Sequence, residues 1–363
     1  MELTIQNYYT KQTHLGAQKI IIEAGRIVTM EAYEGVCEIE YACPPLFDTH
    51  INGGAEYYFT EQVSVEAVHD IAQASLRTGT FYVLPTIITS SLANFLKGIA
   101  AVKDYQAIYP NSGVVGLHLE GPFLNPKKRG AHLAKYVRMP TDDEINTIID
   151  AGADIIKIWT IAPEQFTDAQ IKRIQESGIE IAAGHSDATY EQAAHAFSLG
   201  INKVTHLYNA MSGLYHREPG LVGATLAHSA VWAPIILDEK HCHIGAAKTA
   251  YNAKPDHLYL ISDALFLERK KRSFQWEEFD AELINGEYIN TSGTLAGAAI
   301  SMGEAIKTAV EKLELPLEVA LAMATNRPAE AINIQLADGQ IGAEAIFTTF
   351  DRDLTSFKVL DLR

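Results

Sequence analysis

Eight short apolar runs rich in β-branched residues recur along this chain, separated by stretches with helical spacing, and this alternation restricts the fold more than any other feature. The runs are Pro45 to Asp48, Thr80 to Leu84, Val114 to Leu119, Asp154 to Trp159, Glu180 to Ala183, Lys203 to Thr205, Trp232 to Leu237 and Leu258 to Ser262. Between them, segments such as Val65 to Thr78, Asp142 to Ala151, Asp168 to Ser177 and Tyr190 to Leu199 repeat their apolar residues at helical intervals. The last of these runs into Gly200, a residue suited to a helix C-cap. The pattern predicts an α/β fold, a closed parallel TIM-like (β/α)8 barrel. An open doubly wound sheet is the alternative, but eight strands are many for it and no GxGxxG follows the first run.

The two ends of the chain read differently. Short β-like runs at Leu3 to Asn7, Lys19 to Glu23, Arg26 to Thr29 and Glu38 to Tyr41 are broken by turns, and the tail repeats the pattern at Ala345 to Thr349 and Ser356 to Leu360. Neither end has the residues for a core of its own. Together they predict a small β-sandwich domain made of residues 1–44 and 338–363, with the barrel, residues 45–337, inserted between them. A length of 363 residues suits one large domain and one small one.

Charge and cysteine content narrow the class. A formal net charge of −16 would repel nucleic acid and anionic membrane surfaces, so no nucleic-acid or membrane partner is expected, and any bound phosphate needs a local cationic cluster. Cys37, Cys43 and Cys242 form no CxxC pair and leave one over, as expected of reduced thiols in a cytoplasm. The N-terminal residues lack a basic segment followed by an apolar one, and no apolar run approaches the length of a membrane span. The sequence therefore reads as a cytoplasmic globular protein.

In a barrel of this kind the reactive groups sit just past the C-terminal ends of the strands. After the third run comes His118-Leu119-Glu120-Gly121-Pro122, after the fifth Gly184-His185-Ser186-Asp187, and after the sixth Thr205-His206-Leu207-Tyr208-Asn209. Glu120, His185 and His206 would then face one axis from three strands, the ligand set of a catalytic divalent metal with a position left open for water. A lone histidine at a strand end is more often structural; it is the joint appearance of the three that points to a metal. Asp263, just past the eighth run, stands where a carboxylate could take a proton from an attacking water and pass it to a leaving nitrogen, although it could also cap a helix.

These segments carry a resemblance. Gly116 to Phe123, Ala183 to Thr189, Thr205 to Met211, Arg217-Glu218-Pro219-Gly220, Gly293 to Gly297 and Ala324 to Ala329 are similar, in the same order, to the N-acetylglucosamine-6-phosphate deacetylase family within the amidohydrolases. The HLYNAM segment followed by REPG is the most specific part.

The resemblance implies hydrolysis of the acetamido group of an amino-sugar phosphate, with Glu120, His185 and His206 as metal ligands and Asp263 as general base and then acid. It further implies that His132 polarises the acetamido carbonyl, and that Arg217 and His241 hold the phosphate from across a homodimer interface. Asn209 and the backbone at Ala210 would line the phosphate end. Without the resemblance, Arg217 also reads as a surface ion pair, and either His241 or His243 could point inward. The expected cofactor is one divalent ion, zinc first, with iron, cobalt and manganese also suited to a Glu-His-His set. The rival readings are an amidohydrolase of another N-acyl sugar phosphate or a cyclic amide, and a catalytically silent barrel that binds a sugar phosphate.

Two features depart from the common pattern. Where many amidohydrolases carry HxH for a second metal, this chain has His50-Ile51-Asn52, leaving His50 either as a weak second-site ligand or as a partner of Asp48 or a neighbouring strand end. The run Glu268-Arg269-Lys270-Lys271-Arg272 follows Asp263 and is either a basic lip for phosphate or a solvated loop.

Overall fold

The computed structural model describes residues 1–11 and 13–363. Strands β1 (Glu2–Tyr9), β2 (His14–Glu23), β3 (Arg26–Ala32) and β4 (Ile39–Cys43) open the chain. The barrel strands follow: β5 (Leu46–Ile51), β6 (Thr80–Ile88), β7 (Leu117–Glu120), β8 (Ile156–Ile161), β9 (Glu180–Ala183), β10 (Ala233–Ile236) and β11 (Leu258–Ile261). Next come β12 (Ser273–Trp276), β13 (Phe279–Ile284) and β14 (Glu287–Ile289), and finally β15 (Ile346–Phe350) and β16 (Phe357–Asp361).

β5 to β9 pair in parallel in chain order, and β10 pairs in parallel with β11. The gap between these sheets is spanned by single parallel bridges, Ala183 to Val204 and Lys203 to Trp232, and the ring is completed by Ile51 to Ala264. The sixth run is thus present as a bridged segment with no ladder of its own. The chain leaves extended geometry at once, with His206 at φ 33°. β5 and β6 are buried along their whole length, as befits parallel strands covered on both faces. Flanking helices begin at hydroxyl caps: Ser64, Thr141, Thr167 and Thr189 each accept a hydrogen bond from the backbone N–H three residues on. At Thr167 and Thr189 a glutamine returns the bond, fixing where the helix enters.

Both chain ends meet in one β-rich unit, a six-stranded mixed sheet in the order β16-β15-β4-β1-β2-β3. Its core gathers Leu3, Ile5, Tyr8, Ile20, Ile22, Ile27 and Phe347. A second sheet, the antiparallel β12-β13-β14, is absent from the expectations above, because its strands are short and mostly half-exposed. Its buried residues Phe274, Phe279, Ala281 and Tyr288 pack with Tyr58, Leu265 and Phe266 into a separate apolar cluster. That cluster stands over the C-terminal end of the barrel.

Candidate active site

Each of the four groups expected to carry chemistry leaves the barrel at a strand end. Glu120 is the last residue of β7, His185 lies two past β9, His206 follows the bridged sixth segment, and Asp263 lies two past β11. His185, His206 and Asp263 all adopt left-handed backbone, at φ 48°, 33° and 46°. Non-glycine residues pay strain for this conformation, and its clustering here redirects the exits of the fifth, sixth and eighth barrel segments toward one axis.

The result is a tight, buried constellation. Glu120 Oε1 lies 3.1 Å from His185 Nε2 and 3.0 Å from His206 Nε2, and the two imidazole nitrogens are 3.1 Å apart. The ligand atoms of the three residues all fall within 4.8 Å of one another. His185 Nδ1 donates to the Lys128 carbonyl at 2.9 Å, so on a neutral ring Nε2 presents a lone pair to a carboxylate oxygen and another imidazole nitrogen. Three electron-pair donors converging in a buried space fit a divalent cation, and nothing in the donor set disfavours one.

His50 does not aim its ring at Asp48; only its backbone N–H reaches Asp48 Oδ1, at 3.2 Å. Its Nε2 lies 3.4 Å from Glu120 Oε2 and 3.1 Å from Asp263 Oδ1. Burial works against a proton on this ring, but Asp263 and Glu120 outweigh it and lift the pKa to about 9. Burial also opposes ionisation of Glu120, yet His50, His185 and His206 hold the carboxyl well below its usual range. Burial pushes His132 and His118 the other way, well below the ordinary histidine value.

Asp263 is braced. Asn52 Nδ2 donates to its Oδ1 at 2.8 Å, and its backbone N–H donates to the His50 carbonyl at 2.9 Å. Asn52, read from the sequence as a missing ligand, is therefore a partner of Asp263. Asn52 lies one residue past β5, two beyond His50, and the alternation of a strand would set it on the same side as His50, a signal available in the sequence.

A cavity of about 200 Å³ opens above these groups. His132, Asn209, Ala210 and His241 line it together with Glu120, His185, His206 and Asp263. His241 Nδ1 pairs with Asp238 Oδ2 at 2.6 Å, whereas His243 is exposed and caps the helix Ile244–Ala253, which settles which of the two faces inward. Leu295, Ala296 and Gly297 complete one wall, and Tyr58, Ile88 and Phe279 give it an apolar side that sequence reasoning missed, since Phe279 arrives on the unpredicted β12–β14 sheet. Of the pair expected from across a dimer interface, His241 instead lines the cavity of its own chain, because Asp238 fixes it beside the strand ends, whereas Arg217 lies on an exposed loop and does not line that cavity. The basic run is largely tied up: Glu268 pairs with Arg77 and Lys270, and Arg269 reaches Glu304 at 2.5 Å. Larger grooves, about 600 Å³ beside Lys11 and Arg26 and about 690 Å³ beside Tyr105 and Tyr109, hold no such cluster among the described residues.

Comparison with known proteins agrees with this geometry. The chain is 37% identical over 314 residues to the N-acetylgalactosamine-6-phosphate deacetylase of Shewanella sp. (strain ANA-3), covering 84% of this chain and 78% of that one. It is 34% identical over 310 residues to the N-acetylglucosamine-6-phosphate deacetylase of Haemophilus influenzae, covering 83% and 81%. The crystal structure of N-acetylglucosamine-6-phosphate deacetylase from Pasteurella multocida superposes with a TM-score of 0.91 at 30% identity, over 99% of this chain and 97% of that one. Residues 41–360 match the amidohydrolase family. With that match over most of its length and a buried Glu-His-His cluster at the mouth of a parallel barrel, the chain belongs to the amidohydrolase family.

Proposed function

We propose that this protein hydrolyses the acetamido group of N-acetylglucosamine 6-phosphate, giving glucosamine 6-phosphate and acetate in amino-sugar metabolism. The observation that carries the reading is the joint placement of Glu120, His185, His206 and a braced Asp263 around one cavity, in a chain whose full-length relatives are named for this reaction. A silent barrel has no use for a base held at 2.8 Å by a buried amide.

Glu120, His185 and His206 would hold a divalent ion, which when bound would polarise the carbonyl and make water more acidic. The residues of the chain do the rest. Asn52 occupies Oδ1 of Asp263, leaving the other carboxylate oxygen to accept a proton from the attacking water. His132 supports the carbonyl oxygen as negative charge develops on it. Asp263 then returns its proton to the nitrogen as the C–N bond breaks, giving the amine and acetic acid; the remaining carboxyl proton passes to the amine, so acetate and the ammonium form leave. His241 orients the sugar, its Nδ1 fixed by Asp238 so that Nε2 is free for the substrate. Asn209 and the backbone at Ala210 line the same end.

Zinc is our first choice of ion, and His50 stands near enough to Glu120 and Asp263 to act as a weak ligand of a second one. We place Arg217 on the phosphate of a neighbouring subunit in a homodimer. Leu214 and Tyr215, exposed at 55% and 69% beside it, favour a covered surface there. We keep residues 1–44 and 338–363 as the small domain and 45–337 as the barrel. Among the described residues no helix is long and apolar enough to cross a membrane, and Cys37, Cys43 and Cys242 are free, which favours a cytoplasmic protein.

The galactosamine epimer is a second reading, favoured by the 37% identity to a deacetylase named for it. Acetate release from both N-acetylhexosamine 6-phosphates, side by side, separates the two: a higher kcat/KM for the galacto sugar would overturn the first.

A further inference from the structure

Thr89 is the first residue past β6, fully buried, and no sequence motif marks it. Its Oγ1 lies 2.7 Å from His132 Nδ1 and 3.3 Å from the Glu120 carbonyl oxygen. Gly121 keeps this pocket open, since a Cβ there would come within 2.1 Å of the same hydroxyl. One hydroxyl proton serves two acceptors, and the choice decides what His132 can do.

Two arrangements satisfy the distances. If Thr89 donates to the Glu120 carbonyl, His132 must donate from Nδ1 to Thr89, and its bare Nε2 lone pair then faces Glu120 Oε2 at 3.6 Å. That sets a lone pair against a carboxylate and leaves no proton for a substrate oxygen. If Thr89 instead donates to Nδ1 across the shorter contact, the imidazole carries its proton on Nε2. The N–H then faces the carboxylate at rest and can turn to a carbonyl oxygen gaining negative charge. We propose that Thr89 is a positioning residue that fixes His132 in its Nε2–H tautomer, and so equips it to donate to the acyl oxygen. This rests on the deacetylase reading for the role of His132, but the tautomer itself does not.

Two experiments test it. In zinc-loaded protein with 15N-labelled histidines, and with His132 assigned by comparison with His132→Gln, the nitrogen spectrum is expected to show His132 protonated at Nε2 and accepting at Nδ1. An Nδ1–H tautomer in the wild type overturns the proposal, whether or not the protein deacetylates anything and whether or not any Thr89 variant folds. In acetate release, Thr89→Val should lower kcat about 10- to 100-fold while KM moves less than about threefold, a part of the loss expected when an oxyanion donor is removed outright. Thr89→Ser should restore most of that loss. In a His132→Ala background Thr89→Val should cost nothing further, because both changes remove one interaction. Undiminished kcat in Thr89→Val, or an equal fold-loss with and without His132, overturns the proposal. Absence of acetate release in the wild type refutes the deacetylase reading, and the spectrum still decides the tautomer.

Discussion

Lys203 begins the sixth barrel segment and is fully buried, and its ammonium is held by Glu180 and the Asn202 side chain. Glu180 also accepts from Asn333 Nδ2 at 2.8 Å, so it ties β9, the sixth segment and the chain after residue 331 together. The sixth segment has no ladder, only two bridges, and three residues beyond Lys203 comes His206. Glu180→Ala would leave a buried ammonium facing one amide oxygen. Breaking a buried pair costs about 3–5 kcal/mol, and since the Glu180 side chain keeps 26% exposure, solvent screening discounts this to about 2–4 kcal/mol. For a chain of this size that is a fall in Tm of about 4–8 °C at about 2 °C per kcal/mol. Lys203→Met with Glu180→Gln, which removes both charges, should recover most of the loss. Thermal unfolding by circular dichroism reads the stability, and zinc titration reads the ligand: Glu180→Ala should bind metal more weakly because the segment carrying His206 is unpinned. If Glu180→Ala unfolds at the wild-type temperature with unchanged zinc affinity, the ion pair does not hold this segment.

Three further outcomes follow from the geometry. Asn52→Leu frees Oδ1 of Asp263 and should lower kcat about 10- to 100-fold with metal content unchanged, as expected when a catalytic group loses its orienting partner; a variant within about twofold of wild type would show that the amide is dispensable. For the His241–Asp238 pair, burial disfavours charge on both groups, but their hydrogen bond wins, raising His241 above its usual value and lowering Asp238 below its own. His241 therefore stabilises the fold fully below about pH 6.5 and loses this effect as pH rises through its raised value, while Asp238 contributes above about pH 4. Asp238→Asn should accordingly cost about 1.5–3 kcal/mol near pH 6 and less at high pH, and a gap in Tm that stays constant from pH 6 to 10 would contradict the assignment. Burial raises Cys43 far above the usual thiol range and Cys242 to about 11, so a disulfide reagent should modify Cys37 first in the native protein and all three cysteines after denaturation.

What was legible beforehand follows from periodicity. Parallel strands buried on both faces announce themselves as unbroken apolar runs, and the groups just past them, Glu120, His185, His206 and Asp263, inherit their place from the barrel. Contacts between segments distant in sequence were not legible in this way. Thr89 meets His132 across 43 residues, and Phe279 reaches the cavity on a sheet of short, half-exposed strands that look like loop. The basic run after Asp263 reads from the sequence as either a lip or a solvated loop, because its partners Arg77, Glu304 and the Glu56 carbonyl are remote or unremarkable in the sequence. Asn52 was legible in position but misjudged in role, because only the structure shows which carboxylate its amide meets.

The most direct test of the central claim is acetate release from N-acetylglucosamine 6-phosphate and from unphosphorylated N-acetylglucosamine, by protein of quantified metal content, with Asp263→Asn alongside. The account predicts turnover of the phosphorylated sugar with kcat/KM higher by at least about tenfold, and a loss of about 10³-fold or more in Asp263→Asn with its metal retained. Metal-loaded wild-type protein that releases no acetate from either sugar, or an Asp263→Asn variant as active as wild type, would contradict it.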